Sequence, residues 1–235
     1  LFFDTMGVFW TMKFPNSRQE KLLENWELNS TGFDVNIFTP AGYHEAYKKS
    51  GIPTDKKFTL KTSELDAGDW CEVFEVRITS PIGVLIEKVV GELKEKSENF
   101  SMEDIIEKVR KDKKSNVDVR NAVENRFTAA SKWGLFEEYG TTVEELMMPG
   151  SVNILDISCY THVGGNWSIK GLVIGIVSRK LLAERMDARK GEELEDINKQ
   201  HSYFYEETKK EKPMVWIMID EAHEFLPKVG KTPAT

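Results

Sequence analysis

The sequence predicts an α/β fold with a mostly parallel sheet and a helical insertion, and three observations predict it. Two short runs, Val152-Asn-Ile-Leu-Asp-Ile157 and Met214-Val-Trp-Ile-Met-Ile219, are mostly apolar and β-prone, as strands covered on both faces of a parallel sheet are. Between them, Leu172, Val173, Ile176, Val177, Leu181 and Leu182 recur at the spacing of a helix packed on a sheet. From Pro81 to Pro149 the chain changes character, with charged and apolar residues interleaved at three- and four-residue intervals. A chain of 235 residues with 40% hydrophobic content is long enough to bury a substantial core.

The elements follow in order. Leu1-Phe2-Phe3-Asp4 reads as the last residues of a strand, and Val35-Asn-Ile-Phe-Thr39 as another, bounded by Gly32 on one side and by Pro40 and Gly42 on the other. Residues 1–80 are thus the first part of an α/β core. Residues 81–150 are expected to form the helical insertion, with one apolar stripe at Val84, Leu85, Val89 and Leu93 and a second at Ile105, Ile106 and Val109. Ser101-Met-Glu-Asp104 has the spacing of a capping box, and Trp133-Gly134 marks a helix stop after Val119, Val123, Phe127 and Ala130. Residues 151–235 return to the core. A loop with His162, Gly164 and Gly165 leads into the helix at Leu172, which is expected to end near Arg189. Arg179, Lys180, Arg185, Arg189 and Lys190 would then meet the negative end of its dipole.

A formal net charge of -7 argues against a protein coated in basic surface. Cys71 and Cys159 are far apart and outside any CxxC pair, so neither a zinc site nor a disulfide framework is indicated. No run approaches the length needed to span a bilayer, and a cytoplasmic location with no membrane partner is expected.

Chemistry concentrates after the last apolar run. Asp220 and Glu221 adjoin at its end, and a buried strand that delivers two acids to the C-terminal edge of a sheet puts them where open α/β folds bind ligands. Such a pair suits ATP hydrolysis, one acid holding hydrated magnesium and the next orienting or deprotonating the attacking water. The plainer reading is that both acids cap the helix expected from Ala222 to Leu226. His223-Glu224 suggests a zinc protease, but HExxH needs histidine where Pro227 stands, and His44, His162 and His201 are dispersed. No GxSxG occurs.

Asp220-Glu-Ala-His-Glu-Phe-Leu-Pro227 resembles the Walker B signature of the HerA-type ATPases, a group that includes archaeal DNA-translocating hexamers and lies close to the FtsK and conjugation ATPases of bacteria. Phe3-Asp-Thr-Met-Gly7 is similar to the end of the strand that follows the phosphate-binding helix in that group. Gly230-Lys-Thr-Pro-Ala-Thr235 is similar to the loop before the helix that carries its arginine finger. The resemblance implies a RecA-like P-loop NTPase core, with ATP and Mg2+ as cofactors, DNA as partner and a homo-hexamer as the assembly, and it leaves room for a nuclease or repair factor. It assigns Asp220 to magnesium and Glu221 to catalysis. His223 is a candidate contact to the site, against the plainer reading of a solvated or core-satisfied histidine, and Asp4 is a candidate at the nucleotide edge, against that of a strand-ending turn residue.

The chain departs from the family in one respect. No GxxxxGK followed by Ser or Thr occurs, and Gly230-Lys-Thr232 copies only its last letters before Pro233. The resemblance therefore puts the phosphate loop upstream of Leu1 and the arginine finger beyond Thr235, and these residues are expected to be an internal piece, inactive alone. Two other readings stand beside a DNA motor. One is an ATPase that uses nucleotide as a conformational switch. The other is a helical DNA-binding module, since Arg110, Lys111, Lys113, Lys114, Arg120 and Arg126 cluster in the insertion; such a run reads first as a solvated helix face.

Overall fold

Along the chain, β1 (Phe2–Asp4) is followed by α1 (Glu20–Glu24), β2 (Val35–Pro40), α2 (Ala41–Lys49), β3 (Lys56–Phe58) and β4 (Leu60–Lys61). Four helices come next, α3 (Ala67–Val73), α4 (Pro81–Lys96), α5 (Met102–Lys111) and α6 (Val117–Ser131). Then come β5 (Phe136–Glu137), α7 (Val143–Leu146), β6 (Val152–Asp156), the long α8 (Asn166–His201) and β7 (Met218–Ile219). The computed structural model describes residues 1–162, 166–201 and 214–225.

Five strands make one parallel sheet in the order β3-β2-β6-β1-β7, and β4 and β5 pair separately. The α/β class and the mostly parallel sheet are as the sequence predicts. Alternation along each strand sorts the side chains onto two unequal faces. Phe3, Phe38 and Leu155 point into a large core shared with Leu85, Ile105, Val123 and Phe127 of the helices and Val173 and Val177 of α8. Their neighbours Ile37 and Ile154 join Val35 in a small second cluster, covered by Phe9, Trp10 and Met12 of a single 3-10 turn. Each large side chain buried on the deep face contributes about 1.5–3 kcal/mol, so most of the sheet's hydrophobic stabilisation comes from that side.

The helical stretch forms as its local signals predict, except that Val84 of the expected α4 stripe is exposed. Ser101 and Asp104 make the capping box of α5, and Ser80 caps α4 with Pro81 in the first turn. The helices bury Leu85, Ile86, Val89, Ile105, Val109, Val123 and Phe127, and Phe127 meets Trp70 and Phe74 edge-on. At the end of α6, Gly134 turns with φ +63° and approaches Gly42 so closely that a Cβ on either would sit about 2.5–2.6 Å from the other's Cα. The Gly42 amide donates to the Gly134 carbonyl at 2.9 Å, which ties the end of the helical stretch to the start of α2, just past the C-terminal end of β2.

Two expectations fail. The cationic residues of α8 are not at its C-terminus, because the helix continues to His201; instead Arg179 pairs with Asp69, Lys180 with Glu64, Arg185 with Glu192 and Arg189 with Glu193. Side-chain pairing, not the dipole, accommodates those charges. The run Met214–Ile219 is not a strand buried on both faces: among the described residues only Met218–Ile219 pairs, on one side, with β1, and Met214 and Trp216 are 78% and 74% exposed. An edge strand has a neighbour on one side only, so its apolar composition does not ensure burial. No described helix is long and apolar enough to cross a membrane.

Candidate functional site

Register aligns three aspartates. Asp4 pairs across from Asp156, and Phe3 pairs with Ile219, so Asp156, Asp4 and Asp220 stand level at the C-terminal ends of β6, β1 and β7. Adjacent strands lie about 4.8 Å apart. Each aspartate is one residue beyond a side chain of the deep core, Leu155, Phe3 and Ile219 respectively, so alternation sends all three toward the thinly covered face.

The first two are built into the fold. Asp4 is fully buried and accepts from three backbone amides, those of Gly7 at 2.7 Å, Val8 at 3.1 Å and Phe9 at 2.8 Å. It is thereby the strand-ending turn residue that the plainer reading describes, at the same edge as the acids. The turn needs Gly7, whose φ is +74° and whose added Cβ would fall 2.5 Å from Ser158 Oγ. Asp156, 1% exposed, accepts from the Ser158 amide at 2.9 Å and from Ser158 Oγ at 2.6 Å, and the Tyr47 hydroxyl stands 3.2 Å from the same Oγ. Burial pushes the Asp156 carboxyl up to about 6, and the charge of Asp4 adds to the push against the hydrogen bonds from Ser158 and the charge of Lys170.

Lys170 completes this inner cluster. It lies on α8, 1% exposed, and its ammonium donates to the Thr5 carbonyl and to Thr161 Oγ1, both at 2.9 Å. Burial lowers its affinity for a proton while Cys159, Asp156 and Asp4 oppose the loss. The Cys159 thiol is pushed well above its ordinary range by burial and by Asp156, so it is held as a thiol and is a poor nucleophile.

The third aspartate has different surroundings. Asp220 is half-buried; its backbone is held by the amide's bond to the Phe3 carbonyl at 3.2 Å and by Thr5 Oγ1 on its own carbonyl at 3.4 Å, and its carboxylate has no partner among the described residues. Glu221 takes the left-handed conformation at φ 52° and ψ 38°, uncommon for a glutamate. The kink turns the chain away from the strand direction immediately after Asp220. A 3-10 turn, Ala222–Glu224, follows in place of the expected helix at 222–226, and Glu221 makes no capping hydrogen bond, so the capping explanation of the acids fails for it. His223 is 71% exposed, with Nδ1 3.3 Å from Glu221 Oε2 and Nε2 3.1 Å from Glu224 Oε1. It is the solvated histidine of the plainer reading, within reach of Glu221. Residues 226–235, including the Gly230-Lys-Thr loop, lie outside the described residues, as do Gly164 and Gly165.

Sequence reading singled out Asp4, Asp220, Glu221 and His223, and all lie at one sheet edge. It missed Asp156, Ser158, Tyr47 and Lys170. Two signals for them exist: Asp156 ends an apolar strand as Asp220 does, and Lys170 is a lone charge within Ile169–Val177. Among the described residues no three acidic, histidine or cysteine side chains come together to hold a metal ion. A protein cage for a metal is therefore not formed by them, whereas a single free carboxylate matches how magnesium is held beside nucleotide phosphates, with water and phosphate completing its shell. No protein-family model matches the chain, and no curated protein matches it.

Proposed function

We propose that these residues are the Walker B half of an ATP-hydrolysing, RecA-like core of the HerA/FtsK type, a cytoplasmic homo-hexameric motor acting on DNA. The observation that carries the reading is the contrast within the row of aspartates: Asp220, alone of the three, keeps a carboxylate without a partner among the described residues, and an exposed Glu221 follows it through a left-handed kink. Magnesium and ATP would supply the activated phosphate. Asp220 would hold the metal's water shell, Glu221 would orient the attacking water or take its proton, and His223 would steady Glu221 through Nδ1. Asp4, saturated by three amides, would shape the edge without touching nucleotide.

The reading needs a phosphate loop that residues 1–235 do not contain, so its test uses the longer polypeptide that it requires. There, Glu221→Gln is expected to retain ATP binding and to lose turnover by about 100-fold or more. Unchanged turnover removes Glu221 from catalysis. ATPase activity raised by duplex DNA supports a motor; activity indifferent to DNA favours the nucleotide switch, which the net charge of -7 also favours.

A further inference from the structure

The charge of this acidic protein is unevenly spread. Between Lys108 and Arg126, seven cations stand against three acids. The structure shows why this excess is not neutralised. Asp112, the acid in the α5–α6 loop, is buried and committed: Lys88 holds Oδ1, the Ser115 amide donates to Oδ2 at 2.8 Å, and Arg120 donates to its backbone carbonyl at 2.5 Å. These bonds hold Asp112 well below the usual carboxylate range and fix the loop between the two helices. Glu92 is taken by Lys108 at 2.6 Å and Glu124 by Arg110 at 2.8 Å.

Lys113 and Lys114 are exposed and, like Arg120 and Arg126, form no ion pair with an acid among the described residues. The Lys111–Glu107 pair is open to solvent on both sides and so is worth little and easily exchanged. Lys88, Lys108, Lys111, Lys113 and Lys114 line one open cavity of about 310 Å³ in which Glu92 and Asp112, both already paired, are the acids.

We propose that this tip of the helical stretch binds the phosphodiester backbone of nucleic acid, independently of base sequence. The surface lacks what other polyanionic partners need. A membrane surface or a protein interface calls for exposed large apolar or aromatic side chains among the cations, and among the described residues of this loop Val117 is the exposed one. What it offers instead is several ammonium groups with the polar Ser115 and Asn116, the groups that contact phosphates and fix position without reading bases. The tip lies at the far end of α6 from the Gly134–Gly42 contact, and α6 itself is about 22 Å long. The inference concerns a surface that includes neither Asp220 nor Glu221, and it stands or falls apart from nucleotide hydrolysis.

The test is fluorescence anisotropy of the 235-residue chain with a labelled duplex, titrated at several salt concentrations. Lys113→Glu with Lys114→Glu is expected to weaken binding at least about tenfold and to reduce the slope of log affinity against log salt by about two. Lys48→Glu with Lys49→Glu, the same charge change at the end of α2, should leave binding within about twofold. Thermal melts confirm that both variants fold, and Lys113→Ala with Lys114→Ala serves if the reversal does not. No binding by the wild-type chain, or equal weakening by both pairs of substitutions, overturns the proposal. Displacement of the duplex by millimolar inorganic phosphate at constant ionic strength also overturns it, in favour of a small-anion pocket.

Discussion

The β1–β6 end of the aspartate row and its β7 end are made of the same residue type at the same level of one sheet, yet they are opposites. Asp4 and Asp156 are buried, Asp4 accepting from three backbone amides and Asp156 from the amide and hydroxyl of Ser158, with Lys170 held nearby by Thr5 and Thr161. Asp220 is half-buried, its carboxylate without a partner among the described residues, and Glu221 is exposed. Burying a charge is costly unless hydrogen bonds replace its water, so the inner carboxylates are compatible with folding only because the turns after β1 and β6 supply donors. The outer pair retains its capacity for a ligand. A carboxylate at a strand end is thus structural or available according to whether the following turn points its amides back at it.

The largest expected effect is at the inner end. Asp4→Ala leaves the amides of Gly7, Val8 and Phe9 without their acceptor and should destabilise the chain by about 3 kcal/mol or more in urea unfolding. A loss under 1 kcal/mol would mean that water replaces the carboxylate freely and that the two ends do not differ as described. Lys170→Met comes next, at about 2–3 kcal/mol, since it removes the donor to the Thr5 carbonyl and Thr161 and the cation nearest two buried acids.

The acid at β6 sharpens the comparison through pH. Its carboxyl binds a proton more tightly in the folded chain, at about 6, than in the unfolded chain, near 3.8. Between those values the native state carries a proton that the unfolded state has lost, so stability contributed by Asp156 is full below about 4 and falls as pH rises through 6. The integrated effect is at most about 3 kcal/mol. Asp112, Glu92, Glu45 and Glu192 are shifted the other way, by Lys88, Lys108, His44 and Arg185 respectively, and lose stability as pH falls below their ordinary range, outside this window. Urea midpoints measured at pH 5 and 7.5 should therefore favour pH 5 more in wild type than in Asp156→Asn. Equal pH dependence in the two would show that Asp156 is hydrated in the native state.

Much of the fold was legible because its signals are local. The capping box at Ser101, the apolar stripes of α4 and α5, and the strands at β2 and β6 each lie within one stretch of sequence. The outer acids were legible because two adjacent carboxylates after an apolar run are unusual. The inner cluster was not, because its members meet only through topology: Tyr47 reaches Ser158 across 111 positions and Lys170 reaches Thr5 across 165. A single aspartate at the end of a strand carries no mark of whether a lysine will fold near it. The exposure of Met214 and Trp216 was hidden for a related reason, since composition does not reveal whether a strand has one neighbour or two.

The smallest expected effect is the one that separates function from scaffold. Asp220→Asn and Glu221→Gln should each change stability by no more than about 0.5 kcal/mol, as substitutions away from saturated hydrogen-bond networks do. Glu221 lies in the left-handed region, which favours neither glutamate nor glutamine, so the substitution leaves the backbone cost unchanged while removing the charge facing His223. Glu221→Gly relieves that backbone cost and should stabilise the chain by about 1 kcal/mol. If the glycine variant is more stable than wild type while Gln is neutral, the glutamate is kept at this position against the local preference of the backbone. If instead Gln destabilises by more than about 1 kcal/mol, the contact between Glu221 and His223 is holding the turn, and the outer acids belong with the inner ones as scaffold.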